Sequence, residues 1–354
     1  MKDLETIKRR KQSTKTAPHS QVNLKQLAEY LHLNPATVSV VLNDVPGRSI
    51  PQATRDRIKA VAKQLNYQPN LLARSLRSQR TLTIGILVPE LGDGYHTQVL
   101  SGIGDQLMSA GYFYFTAHHR HQARLIDDYT RMLIGRGAQG IIAIDTHLEH
   151  AMSIPVVAVA GHRRIEGVTN IVLDHRRAAE LSLNHLYSLG HRKIAFMRGQ
   201  SFSSDSDERW RQLAEVAKKL GIEIKPNLVV SLDRDISSPE LGYPVVQQLL
   251  GTGQSFTAVV AFNDISAIGA IRALEDARLR VPTDVSVIGF DDIKAAAYTT
   301  PRLTTINQPL DEIGRLATQC LLNRLHNTVA PPDELVVQPT LVVRESTCAA
   351  RAMA

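Results

Sequence analysis

The chain has 354 residues, 43% of them apolar and 21% charged, the composition of an ordinary globular protein of two or three domains. No apolar run approaches the ~18 residues of a membrane span. The basic run Lys8-Arg9-Arg10-Lys11 has no apolar stretch behind it and does not read as a secretory signal. Two cysteines, Cys320 and Cys348, are too few for a disulfide scaffold or a four-ligand zinc site, so a reducing cytoplasm and no membrane partner are expected.

The charge is unevenly placed. Residues 1–80 hold 15 Lys and Arg against 5 Asp and Glu, whereas the remaining 274 hold 26 against 29. A basic head on a nearly neutral body is expected to meet a polyanion, and the body to do something else.

Residues 1–21 are polar and lack apolar periodicity, so they read as a disordered basic tail. Three helices are expected within 22–68. In the first, Leu24, Leu27, Ala28 and Leu31 share one face, with Asn23 and Gln26 spaced as a capping box. Asn34-Pro35 then supplies a cap and a first-turn proline for the second. That helix turns Val38, Val41 and Leu42 inward and is expected to leave Pro35, Ala36, Ser39 and Val40 on the opposite face. The third carries Ile58, Val61, Ala62 and Leu65. Three short helices, the first two joined by a tight turn, make an all-α helix-turn-helix headpiece. Residues 69–80 contain a segment, Leu71 to Arg77, too short to be a stable helix alone, and read as a hinge that orders on docking.

Beyond Arg80 the rhythm becomes α/β. Thr83–Val88, Phe113–Ala117, Gly140–Ile144, Val156–Ala160, Ile194–Arg198, Leu228–Ser231, Ala258–Phe262 and Val285–Phe290 read as strands, with a last strand at Leu335–Val343. Amphipathic helices such as Thr97–Ser109, Arg124–Arg136, Ala178–Leu189 and Ile265–Ala277 lie between them. Continuous apolar strands alternating with helices predict doubly wound parallel sheets, and the length predicts two lobes. Ligands of such sheets bind beyond the carboxyl ends of the strands. The residues there are Glu90, His118-His119, Asp145, Arg198, Asn263-Asp264 and Asp291-Asp292, a set suited to a small polar molecule.

Nothing in the sequence pairs a nucleophile with a base, and no phosphate-loop, nucleophile-elbow or zincin motif is present. Gly102-Ile103-Gly104 starts a dinucleotide fingerprint but sits inside a helical pattern, with Leu107 where glycine is needed. No enzyme activity, cofactor or metal is therefore expected. The histidines His118, His119, His121, His147 and His150 read as solvated loop residues.

Several separated motifs resemble the LacI/GalR family of bacterial transcription regulators: Ala36-Thr37-Val38-Ser39, Leu42-Asn43, Leu65-Asn66-Tyr67 with Pro69-Asn70, and Ala73-Arg74-Ser75-Leu76. In the body they continue with Gly190-His191-Arg192-Lys193-Ile194, Asn263-Asp264 and Val281-Pro282 through Asp291-Asp292. The resemblance covers about residues 22–345. It implies a periplasmic-binding-protein-like core over 81–345, with one lobe at about 81–174 and 307–330, the other at about 175–306 and 331–345, and a tail at 346–354. It also implies a cytoplasmic repressor, nucleoid-associated when bound, whose homodimer places two headpieces on a near-palindromic double-stranded DNA operator. Thr37, Ser39, Asn43 and Arg55 would hold phosphates. Pro35 would open the helix that enters the groove, and Ala36 and Val40 would face bases, with only apolar contact to offer. Many relatives carry arginine in place of Val40. Asn70, Ala73 and Leu76 fall in the hinge, with Leu76 as a minor-groove wedge. The effector-contacting positions would be Tyr95, His96, Arg209, Asn263 and Asp291, joined by Asp145 from the strand ends, around a small polar, sugar-like molecule. No leucine heptads follow Glu345, so a dimer is expected rather than a tetramer.

Overall fold

The computed structural model describes residues 22–44, 48–68, 80–92, 94–161, 163–234, 236, 238–328 and 332–351. The expected tail at 1–21 and the hinge positions Asn70, Ala73 and Leu76 lie outside these residues. The chain divides into two compact units, one ending at Thr81 and one beginning at Leu82.

In the first unit, helices run over Leu24–Leu31, Pro35–Leu42 and Gln52–Gln64. The Asn23 side chain accepts from Gln26 N while Gln26 accepts from Asn23 N, both at 2.9 Å. Asn34 caps the second helix through Ala36 N at 2.8 Å. Leu27, Ala28, Leu31, Val38, Val41, Ile58 and Ala62 form the core. Ser39 departs from the expected outer face. It is buried, because Asn43 Nδ2 folds back onto its carbonyl oxygen at 2.7 Å and its Oγ at 3.3 Å.

The second unit contains two six-stranded sheets. Its strands in chain order are β1 (Thr83–Val88), β2 (Phe113–His118), β3 (Gly140–Ile144), β4 (Val156–Val159), β5 (Val168–Leu173) and β6 (Ile194–Arg198). They continue with β7 (Val229–Ser231), β8 (Ala258–Val260), β9 (Ser286–Asp291), β10 (Thr304–Asn307), β11 (Glu334–Val337) and β12 (Thr340–Val342). The first sheet has the order β11-β5-β4-β3-β1-β2 and is wholly parallel. The second, β12-β10-β9-β8-β6-β7, is parallel except for β12. Helices cover both faces, which is why β1 and β3 are apolar and buried along their whole length. On the first sheet, the helices Tyr95–Ser109 and Leu310–His326 cross so closely that a Cβ on Gly102 would lie 2.1 Å from the Asp311 carbonyl oxygen. A Cβ on Gly314 would lie 2.2 Å from the Val99 carbonyl oxygen. Gly102-Ile103-Gly104 is therefore a packing device and not a dinucleotide fingerprint. Strand order reverses beside β1 in one lobe and beside β6 in the other, and at such reversals a crevice opens at the carboxyl edge.

Two strands, β5 and β10, go beyond the sequence expectation. The single strand expected at Leu335–Val343 is two: β11 pairs with β5 in the first lobe and β12 with β10 in the second. Pro339 separates them, having no N–H to offer a ladder. The return to the second lobe thus follows Val337 rather than residue 330. The expected tail at 346–354 is also corrected as far as Ala350. Ser346 is fully buried, its Oγ donating to Val287 O at 2.6 Å and accepting from Thr304 N at 2.8 Å. Ala350 N donates to Leu189 O at 2.7 Å, so these residues belong to the second lobe.

Candidate DNA-binding face and ligand cleft

On the headpiece, Pro35 and Ala36 are exposed and Thr37, Val40 and Asn43 half-buried on the second helix. Arg55 leans onto the preceding loop, its Nε 3.3 Å from Ile50 O and its Nη2 3.3 Å from Arg48 O. Ser39 is withdrawn beneath Asn43, so its role as a direct phosphate contact is not supported by its exposure. Its hydroxyl instead helps to fix the Asn43 amide.

In the second unit, loops from both lobes enclose a cleft with about 610 Å³ of empty space, part of it open to solvent. Each expected effector residue, Tyr95, His96, Asp145, Arg209, Asn263 and Asp291, lines it. Tyr95 and His96 begin the helix after β1, presented by Gly94 at φ +115°, a conformation that favours glycine. His96 lies 3.7 Å from Glu90 through Nδ1 and 3.7 Å from Asp145 through Nε2. Burial alone would raise the Asp145 carboxyl, but the His96 imidazole beside it more than offsets this and holds it below its ordinary value. The Tyr95 hydroxyl is pushed well above its usual range, first by burial and then by the charges of Asp205, Asp145 and Asp291. It stays protonated and can donate a hydrogen bond.

The second lobe contributes Arg209 on the helix Ser204–Lys219. Its Nη1 donates to Phe262 O at 2.6 Å and its Nη2 to Asp205 at 2.9 Å. The guanidinium sits 3.7 Å from the Phe290 ring centroid and 4.4 Å from that of Phe262, a charge-assisted and cation–π clamp. Asn263 caps the helix Asp264–Asp276 through Ser266 N at 2.9 Å. Asp291, at the end of β9, accepts from Gln308 Nε2 at 2.6 Å and has φ +113°. Burial pushes its carboxyl up to about 7 against the lowering pull of Arg209 and Gln308.

Not every strand-end residue faces the cleft. Asp264 is fully buried, accepting from Thr305 Oγ1 at 2.6 Å and Ile293 N at 2.9 Å. Asp292 pairs with Arg344 at 2.6 Å. Arg198 stacks on Trp210 and reaches Asp207 at 3.4 Å. The expectation that His119 is a solvated loop residue is overturned. It is fully buried, bonded to Thr146 Oγ1 at 2.9 Å, and its Nδ1 accepts from His121 N at 3.1 Å. Burial lowers it to about 4, so it stays neutral and fixes His121. From the first lobe, His121 brings its ring to 4.5 Å from that of Phe202 in the second.

The cleft residues missed in the sequence include His121, Gln200, Phe202, Asp205 and Phe262. Asp205 carried a usable signal, standing four residues before Arg209 on one helix face. Among the described residues no cluster of three His, Cys, Asp or Glu is arranged to hold a metal, and no helix is long and apolar enough to cross a membrane.

The profile of bacterial regulatory proteins of the lacI family matches residues 23–70, and that of the periplasmic binding protein-like domain matches residues 183–347. The chain is 30% identical over 332 residues to the HTH-type transcriptional repressor PurR of Erwinia tasmaniensis, covering 91% of this chain and 96% of that one. Its fold matches the lac repressor dimer bound to operator and the anti-inducer ONPF with a TM-score of 0.82. The identity there is 25%, and the match covers 93% of this chain and all of that one. The transcriptional regulator CelR in complex with cellobiose matches at 0.67, with 26% identity over 92% of this chain and all of that one. A helix-turn-helix headpiece in one chain with a two-lobed ligand cleft defines a ligand-responsive transcription regulator. The chain belongs to the lacI family.

Proposed function

We propose that the protein is a cytoplasmic, homodimeric repressor that binds a near-palindromic double-stranded DNA operator and responds to a sugar-like effector in the cleft. The observation that carries this reading is the lining of one cleft by both lobes at their two points of strand-order reversal. A ligand there contacts both lobes, so it favours one lobe arrangement over another. In the proposed dimer that arrangement sets the spacing of the two hinges at residues 69–80, and with it operator affinity. Pro35, Ala36, Thr37, Val40 and Asn43 form the groove-facing surface, Arg55 steadies the loop beside it, and Asn70, Ala73 and Leu76 act at the hinge. The dimer reading is supported by an apolar patch beside the edge strand β2. There Phe113 is 61% exposed and stacks edge-on with Phe115, and Met108 is 62% exposed.

Selection of bound sequences from a random duplex pool, with and without a panel of sugars, tests this directly. The expected outcome is a palindromic consensus whose recovery changes with one compound and whose binding weakens steeply with salt as counterions are released. Asp291→Ala should abolish the response to that compound and retain operator binding. No enrichment of any duplex under any condition would overturn the proposal.

A further inference from the structure

Four carboxylates face the cleft, Glu90 and Asp145 from the first lobe and Asp205 and Asp291 from the second. One guanidinium, that of Arg209, lines it with them, and both of its terminal nitrogens are engaged, with Asp205 and the Phe262 carbonyl. The remaining ionisable groups on the wall are Tyr95, which stays neutral, and the imidazoles His96 and His121. His96 sits between two of the carboxylates, and His121 lies against Phe202. Glu90, Asp145 and Asp205 thus outnumber the one guanidinium, and Asp291, whose carboxyl lies at about 7, adds to them as it ionises.

Taking the cleft as the effector site, as proposed above, we infer that its ligand is an amine-bearing sugar, held as a counter-ion between acidic faces of the two lobes. A carboxylate or phosphate on the ligand would meet like charge at short range in a site of reduced dielectric. An ammonium group meets the opposite. Its hydroxyls find acceptors in the same carboxylates and a donor in Tyr95, while Phe202 and Phe262 supply apolar faces for the ring. Asp145 and Asp205 line the cleft from opposite lobes, so a cation between them contacts both lobes at once. A group held by both lobes favours the arrangement that keeps those contacts together. The high-lying carboxyl of Asp291 fits the same picture, since a neighbouring cation would return it toward its ordinary range.

The test is titration calorimetry on the full-length chain near neutral pH with glucosamine, galactosamine and mannosamine. Each is compared with its neutral parent sugar and the 6-phosphate of that parent. The expected result is that at least one amine binds about tenfold or more tighter than its parent and that no phosphate binds. In the Glu90→Gln, Asp145→Asn double variant the ratio of amine to parent affinity should fall toward one, whatever the two absolute affinities become. A phosphate or neutral parent that binds as tightly as its amine, or the failure of all three amines to bind at millimolar concentration, overturns the inference. If a neutral parent binds as tightly as its amine and Asp291→Ala abolishes that binding, the cleft remains the effector site while the charge argument falls. An amine that binds Asp291→Ala unchanged binds elsewhere and overturns both.

Discussion

Asp291 shows how burial, backbone and charge are traded at one residue. It ends β9 at φ +113°, a conformation costly for any residue with a Cβ, and faces Arg209 while Gln308 bonds its carboxylate. Its carboxyl is raised from 3.8 to about 7 by burial. With the folded value above the unfolded one, the residue penalises the folded state increasingly as pH climbs from below 4 through about 7. The full effect is on the order of 4 kcal/mol. Asp291→Asn keeps an acceptor for Gln308 and removes the charge. It should raise the melting temperature of the ligand-free protein clearly at pH 8 and little at pH 5. An equal change at both would mean that the neighbouring cations already neutralise the carboxylate. Asp291 was legible in the sequence because it ends a long, specific motif. His121 and Phe202 were not, because their meeting depends on loops from different lobes that no local spacing links. Ser39 misled for the opposite reason: helical periodicity placed it outward, but the Asn43 side chain one turn later covers it.

At the scale of elements, the helix crossing over the first sheet depends on absent side chains. Gly102→Ala would place its Cβ 2.1 Å from the Asp311 carbonyl oxygen. Because the obstacle is backbone, the helices Tyr95–Ser109 and Leu310–His326 must separate, and overpacking of this kind costs about 1–3 kcal/mol. Urea denaturation should show that loss. Gly111→Ala, where no atom lies within 4 Å but φ is +75°, should cost about 1 kcal/mol through backbone strain alone. Strands with unbroken apolar runs, such as β1 and β3, were legible from composition. β5 and β10 were not, since Thr169-Asn170 interrupts one and Thr304-Thr305 opens the other. Both are nonetheless buried, because hydroxyls find partners that only the fold supplies: Thr169 Oγ1 donates to Pro332 O at 2.9 Å and Thr305 Oγ1 to Asp264 at 2.6 Å. Hydropathy reads such polar core residues as loop.

At the scale of the whole molecule, the proposed regulation has two copies act together. The edge position of β2 leaves a ladder unpaired and an apolar patch exposed beside it, features that a folded monomer ordinarily avoids. Phe113→Asp combined with Phe115→Asp puts like charges on each of two facing patches. This variant should sediment as a monomer with its fold intact by circular dichroism. A monomer holds one half-site at a time, so its operator affinity should fall by ~10²-fold or more through loss of avidity. Its ligand affinity should stay close to that of the parent, since neither Phe113 nor Phe115 lines the cleft. What it should lose is coupling. In the dimer, the factor by which ligand changes operator affinity must equal the factor by which operator changes ligand affinity, typically ~5–150-fold. Calorimetry of ligand binding with and without a duplex carrying the selected consensus should give the same factor as operator titrations with and without ligand. In the charge-patch variant both factors should approach one together. If one fell while the other persisted, the effect would not be equilibrium linkage, and the cleft would have to act on DNA binding by another route.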